Sequence, residues 1–198
     1  MGVTIESLFA HNLPLEQLDS IPMKLDNVFA SLAEFFPIFA RRGGVKEQRN
    51  WYSCPYTGMT LQETLAYLGN VPLEGPGGFG GDIFARTVCL SHGAYWHMFV
   101  EGPERAKFRR ILRSCAKRFG AEIALYFPSN DPGDGVMEKA AEGLNITEIQ
   151  EWLTANEGLP AKSFDDLIEA RSKWAQDNVD FPDVEVPIFG TLPVPPGS

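Results

Sequence analysis

Cysteine is scarce in this chain of 198 residues: Cys54, Cys89 and Cys115 are three, odd in number and far apart. A disulfide framework needs pairs at closer spacing, so three reduced thiols are expected. No run of 18 consecutive apolar residues occurs, which argues against a membrane-spanning helix. Met1-Gly2-Val3-Thr4 opens without a basic segment or a long apolar stretch, so no secretory signal is expected. Those absences together read as a cytoplasmic protein with no membrane partner.

The spacings that carry chemistry are missing too. Ser91-His92 lies in no G-x-S-x-G elbow, and adjacent residues rarely serve as nucleophile and base. Cys89, His92 and His97 lack a second pair at zinc-site spacing, and strand positions three apart point to opposite faces. Asp131, Asp134 and Glu138 do not follow the calcium-loop pattern. Gly75-Pro-Gly77-Gly-Phe-Gly80 matches G-x-G-x-x-G, but that fingerprint needs a helix next, and Ile83 to Leu90 reads as strand. Cys54, in Ser-Cys-Pro-Tyr, stands without a nucleophile signature, so packing is its default role. No metal site, cofactor or catalytic residue is expected. A rival reading is a small-molecule enzyme built on the Gly-rich loop with His92 and His97, and a third is a phage or mobile-element accessory protein that mimics DNA.

Positive charge is missing from the last third. Residues 1–130 hold 13 Lys/Arg and 12 Asp/Glu, whereas residues 131–198 hold 4 and 14. Nearly all of the net charge of −9 therefore sits after residue 130. Blocks of this kind usually act on partners rather than on the fold, or simply solvate a face. Glu148, Glu151, Asp165, Asp166 and Glu169 belong to that block. They make a phosphate-like surface that would steer a basic partner. Seven basic residues between Arg105 and Arg118 oppose one acid, Glu104. Their neutralisation by the acidic third is favoured over nucleic-acid binding, because a negative chain repels a polyanion.

What is present builds an ordinary core, with 44% hydrophobic residues and 14 Phe. A strand is expected from Val3 to Ala10. A helix then enters at Ser20-Ile-Pro22, with Leu25, Val28, Phe29, Leu32, Phe35 and Phe36 on its apolar face, and Pro37 and Gly43-Gly44 end it. Residues 45–59 read as an aromatic-rich loop. Thr60-Leu-Gln-Glu63 is a capping box that opens a helix lined by Leu61, Leu65 and Leu68 and closed by Gly69. Val71 to Gly81 reads as a Pro/Gly-rich stretch. A hairpin follows, with strands over 83–90 and 95–100 and its turn at Ser91-His92-Gly93. Glu104 to Phe119 is a helix and Glu122 to Phe127 a strand. Asn130 to Gly135 reads as a turn-rich break, with helices expected near 147–156 and 163–178. The last 18 residues hold five prolines and read as an extended tail.

The expected fold is α+β, a small antiparallel or mixed sheet packed against several helices. The expected division is an α+β core over 1–130, an acidic helical extension packed on it over 131–180, and a Pro-rich tail over 181–198.

Within residues 28–127, the run from Val28 through Phe35-Phe36-Pro37 to Ala40, then Trp51, then Thr60-Leu-Gln-Glu-Thr-Leu65 and a strand–helix–strand unit, resembles the small bacterial immunity proteins. Those pair with polymorphic or type VI secreted toxins, nuclease toxins among them. The resemblance implies a non-catalytic inhibitor that binds a single, basic protein partner. Opposite charge supplies fast association, and buried aromatic anchors supply slow release. Trp51, Tyr52 and Tyr56, or Trp152 and Trp174 beside acids, are the anchors this implies, with core packing as the other role open to each and the favoured one for Trp174.

Overall fold

Alternation along Thr4–Ala10 puts Leu8 and Phe9 on opposite faces of a strand, and both are fully buried. This strand, β1, therefore has apolar layers on both sides. The computed structural model describes residues 4–32, 50–95, 105–129 and 133–157. It places β1 in a six-stranded sheet with β2 (Tyr52–Ser53), β3 (Val71–Glu74), β4 (Phe79–Ile83), β5 (Thr87–Tyr95) and β6 (Ala124–Pro128). The strand order is β2-β3-β4-β5-β1-β6, and every pairing is antiparallel. Five α-helices complete the described chain: α1 (Ile21–Leu32), α2 (Leu61–Leu68), α3 (Arg105–Arg118), α4 (Gly133–Ala141) and α5 (Ile146–Glu157). The class is α+β, as expected.

Each sheet face has its own core. Phe9, Val71, Leu73, Val88, Leu90 and Tyr126 meet residues of α1, α2 and α3 on one side. Leu8, Cys89, Leu125 and Phe127 meet Val136 of α4 and Ile149 and Leu153 of α5 on the other. In α1, Leu25, Val28, Phe29 and Leu32 are buried at the spacing read from the sequence. In α2, Glu63 N–H donates to Thr60 Oγ1 at 3.2 Å, and Thr60 N–H donates to the Glu63 carboxylate at 2.8 Å. Gly69, at φ 80°, closes that helix in the left-handed region.

Four expectations are corrected. Ser91-His92-Gly93 does not turn: β5 runs straight through it, and the hairpin turn falls at Phe84 to Thr87, closed by Phe84 N–H to Thr87 O at 2.9 Å. The stretch from Val71 to Gly81 holds β3 and the start of β4 rather than loop alone. The turn expected over Asn130 to Gly135 is helical from Gly133, where α4 begins. Leu68 is exposed, and Thr64 takes the buried place beside Leu61 and Leu65. The Phe35/Phe36 face, Pro37, Gly43-Gly44, His97, the second hairpin strand past Tyr95, the helix over 163–178 and the tail lie outside the described residues.

Trp51 is 3% exposed and packs edge-on to Phe29, with ring centroids 5.3 Å apart. A Cβ on Gly75 would lie 2.6 Å from its indole carbons, so glycine makes the room that the ring occupies. Gly75→Ala should therefore destabilise the protein by about 1–3 kcal/mol through overpacking. Urea unfolding followed by Trp fluorescence checks this; an unchanged midpoint contradicts it.

Candidate functional site

The second face is covered unevenly. Helices α4 and α5 lie over its β1–β6 part, whereas Tyr52, Pro72 and Glu74 are exposed at the β2–β3 end. The register runs a row of same-face residues across the sheet: Tyr52 opposite Glu74, Glu74 opposite Gly80, Gly80 opposite Ser91, and Ser91 opposite Glu6. A second row sets Pro72 opposite Asp82, and Asp82 opposite Cys89. Alternation thus collects three carboxylates, Glu6, Glu74 and Asp82, on one face of four strands.

Each is held differently. The Tyr52 hydroxyl donates to the Glu74 carboxylate, and that bond pushes the phenol up to about 12. Asp82 accepts from Asn70 Nδ2 at 2.6 Å, yet burial still raises its pKa. Burial, with smaller contributions from Asp82 and Asp134, raises Glu6 to about 7. Glu6 Oε2 is buried and accepts no hydrogen bond among the described residues.

The chain leaving β2 brings a second group of exposed side chains beside this edge. Tyr56 N–H donates to Thr64 Oγ1 at 2.9 Å, tying the loop to α2. Tyr56 and Tyr67 are 56% and 68% exposed, with ring centroids 6.4 Å apart. Leu68 and Leu15 are also exposed, and Gln62 Nε2 reaches Leu15 O at 3.4 Å. Residues 50–85 supply Glu63, Glu74 and Asp82 but no Lys or Arg. Among the described residues of β2, β3 and α2, the exposed side chains named here are aromatic, apolar or anionic.

The sequence-derived candidates divide over the structure. Tyr52 (44% exposed) and Tyr56 belong to the edge just described. Trp51 does not: it is core, held by Phe29 and Gly75, and offers a partner almost no surface. Glu148, Glu151 and Trp152 lie on α5, which packs over β1, four strands along the sheet from β2. Glu148 caps its own helix, accepting from Asn145 N–H at 2.7 Å. Trp152 is half-buried against Gly135. Glu151 borders a groove of about 420 Å³ along Thr147, Gln150, Thr154 and Ala155. Asp165, Asp166 and Glu169 lie outside the described residues, as do the other acids expected to neutralise α3 from residue 158 onward.

The sequence reading missed Glu6, Glu74, Asp82 and Tyr67. Only Tyr67 left a signal, because it falls off the apolar stripe of α2 yet is aromatic.

Of the residues considered for chemistry, His97 lies outside the described residues, and His92 and the Gly-rich loop meet each other. His92 Nε2 donates to Gly77 O at 2.9 Å and its ring lies 4.6 Å from Phe79. The Gly-rich loop is a 3₁₀ turn with Gly77 at φ 68° and Gly78 at φ 86°, followed by strand β4. Burial and Glu74 raise the Cys54 thiol, the direction opposite to nucleophile activation. Cys89 is buried and likewise raised. Among the described residues no group of three or more His, Cys, Asp or Glu is arranged to hold a metal ion. No helix among them is long and apolar enough to cross a membrane.

No protein-family model matches the chain, and no curated protein sequence matches it. Among solved structures, a T6SS protein of Pseudomonas aeruginosa is similar at 13% identity and a TM-score of 0.31. The match covers 93% of this chain and spans 64% of the length of that one. A likeness of this degree assigns neither family nor activity.

Glu6 makes stability pH-dependent in a defined direction. Its folded pKa of about 7 exceeds its ordinary value of 4.5, so between those values the folded state binds more protons than the unfolded. Glu6 should therefore contribute a fall in stability as pH rises from 5 to 8, opposed by buried His11, whose lowered pKa acts the other way. Glu6→Gln should flatten that slope and raise stability at pH 8 by up to roughly 3 kcal/mol. Urea titrations across this range check it; an unchanged slope in the variant removes Glu6 as the cause.

Proposed function

We propose that this chain is a non-catalytic binding protein, an immunity protein of the class that pairs with polymorphic or type VI secreted toxins. It neutralises one basic toxin in the cytoplasm by direct, stoichiometric docking. The observation that carries the reading is the exposed tyrosine and carboxylate edge of β2, β3 and α2, to which residues 50–85 contribute no cation.

The physics of such an edge suits inhibition. Tyrosines bring large, rigid contact area with little rotamer entropy to lose, and they favour slow dissociation. Carboxylates steer a basic surface during encounter and make association salt-sensitive. A nuclease toxin is one fitting target, since its substrate-binding surface must itself attract phosphate. The acids of α5 extend the negative field without having to touch the partner.

The test is capture from the source cell with a tagged chain at low and high salt, followed by assay of the captured protein. A one-to-one basic partner, released at high salt and inhibited on adding the chain back, is expected. Tyr52→Ser combined with Glu74→Lys should weaken that complex by at least about tenfold, the size of a moderate hot spot. Wild-type affinity in this variant, or full activity of the captured protein in the complex, contradicts the proposal.

A further inference from the structure

Tyr56 and Tyr67 hold their rings against each other in water rather than in the core. Their planes are inclined at 51°, and both are more than half exposed. The backbone fixes this arrangement: Tyr56 N–H bonds Thr64 Oγ1, and that hydroxyl donates to Thr60 O at 2.9 Å. One ring is thus tied to the first turn of α2 and the other rides on its last turn.

Between them in sequence lies Glu63, four residues before Tyr67 and therefore its neighbour on the helix surface. Its carboxylate accepts from Thr60 N–H at 2.8 Å and Thr60 Oγ1 at 2.9 Å. Those bonds lower its pKa and hold it in place, so it stays ionised. No Lys or Arg of the described residues pairs with it, and its recorded bonds are all to Thr60. A fixed anion one helical turn before an exposed tyrosine, whose ring meets a second exposed one, repels anionic ligands and would be desolvated at a cost by a purely apolar one. A cation meets both features at once.

We propose that Tyr56, Glu63 and Tyr67 form a receptacle for an arginine side chain of the docked protein. The guanidinium lies on a ring face with its charge toward Glu63. This rests on the reading of the chain as a binder of a basic partner. Arginine fits better than lysine because its planar, weakly hydrated head stacks on aromatic rings, whereas an ammonium keeps its water.

The test uses end-blocked hexaarginine and hexalysine, which carry equal charge, titrated into the full chain while the tyrosine ring resonances are followed by NMR. Hexaarginine should bind several-fold more tightly and shift the rings of Tyr56 and Tyr67. The double variant Tyr56→Leu/Tyr67→Leu keeps the net charge and should lose about 5- to 10-fold in hexaarginine affinity, together with the preference over hexalysine. Glu63→Gln preserves the capping box, since Gln serves at that position, and should weaken both peptides. Equal affinity for the two peptides, or a double variant that binds as wild type, overturns the receptacle. A captured partner held equally well by that variant also overturns it and leaves the docking reading standing. Hexaarginine recognition with no basic partner captured does the reverse.

Discussion

The arrangement depends on β1 lying between β5 and β6. Ser7 stands opposite Leu90 on one side and Tyr126 on the other, so a strand near the start joins two distant parts of the chain. Closing loops of that length costs conformational entropy before any contact compensates for it. Compensation comes from both faces at once, because Leu8 and Phe9 are fully buried in separate cores. Without β1, β6 would have no strand neighbour, and α4 and α5 would lose Leu8 from the surface they cover.

That placement also explains where the molecule meets its surroundings. The second-face helices dock at the β1–β6 end, and the strands at the other end keep polar residues on the same face. Coverage of Glu6 and Asp82 is partial, and their raised pKa values register that burial. At Tyr52 and Glu74 coverage has ended, and the two side chains bond each other at the surface. A gradient from dry core to open acidic edge thus runs along one sheet face.

Local signals were legible and tertiary ones were not. The capping box at Thr60 and Glu63, the α1 stripe and the αL glycine at 69 each depend on residues within a few positions. Strand β3 was hidden by Pro72, which looks wrong for a strand. Its carbonyl accepts from Cys54 N–H at 2.8 Å, so the missing N–H faces β2 and no bond to β4 is lost. The β4–β5 turn was hidden because Phe84-Ala-Arg86 contains none of the residues that mark turns. Trp51 looked like its exposed neighbours Tyr52 and Tyr56; only Phe29, Gly75 and Phe79 decide that it is core. The carboxylate face needs three strands, β4, β5 and β1, in register before Glu6 and Asp82 share it, and no local pattern contains that information.

Amide hydrogen exchange of the chain, free and bound to its captured partner, reads the docking surface without altering a residue. The account requires new protection over residues 52–68 and at Leu73 and Glu74, with α5 little changed. Protection confined to α3 or α5, with the β2–β3 edge exchanging as in the free protein, would contradict it.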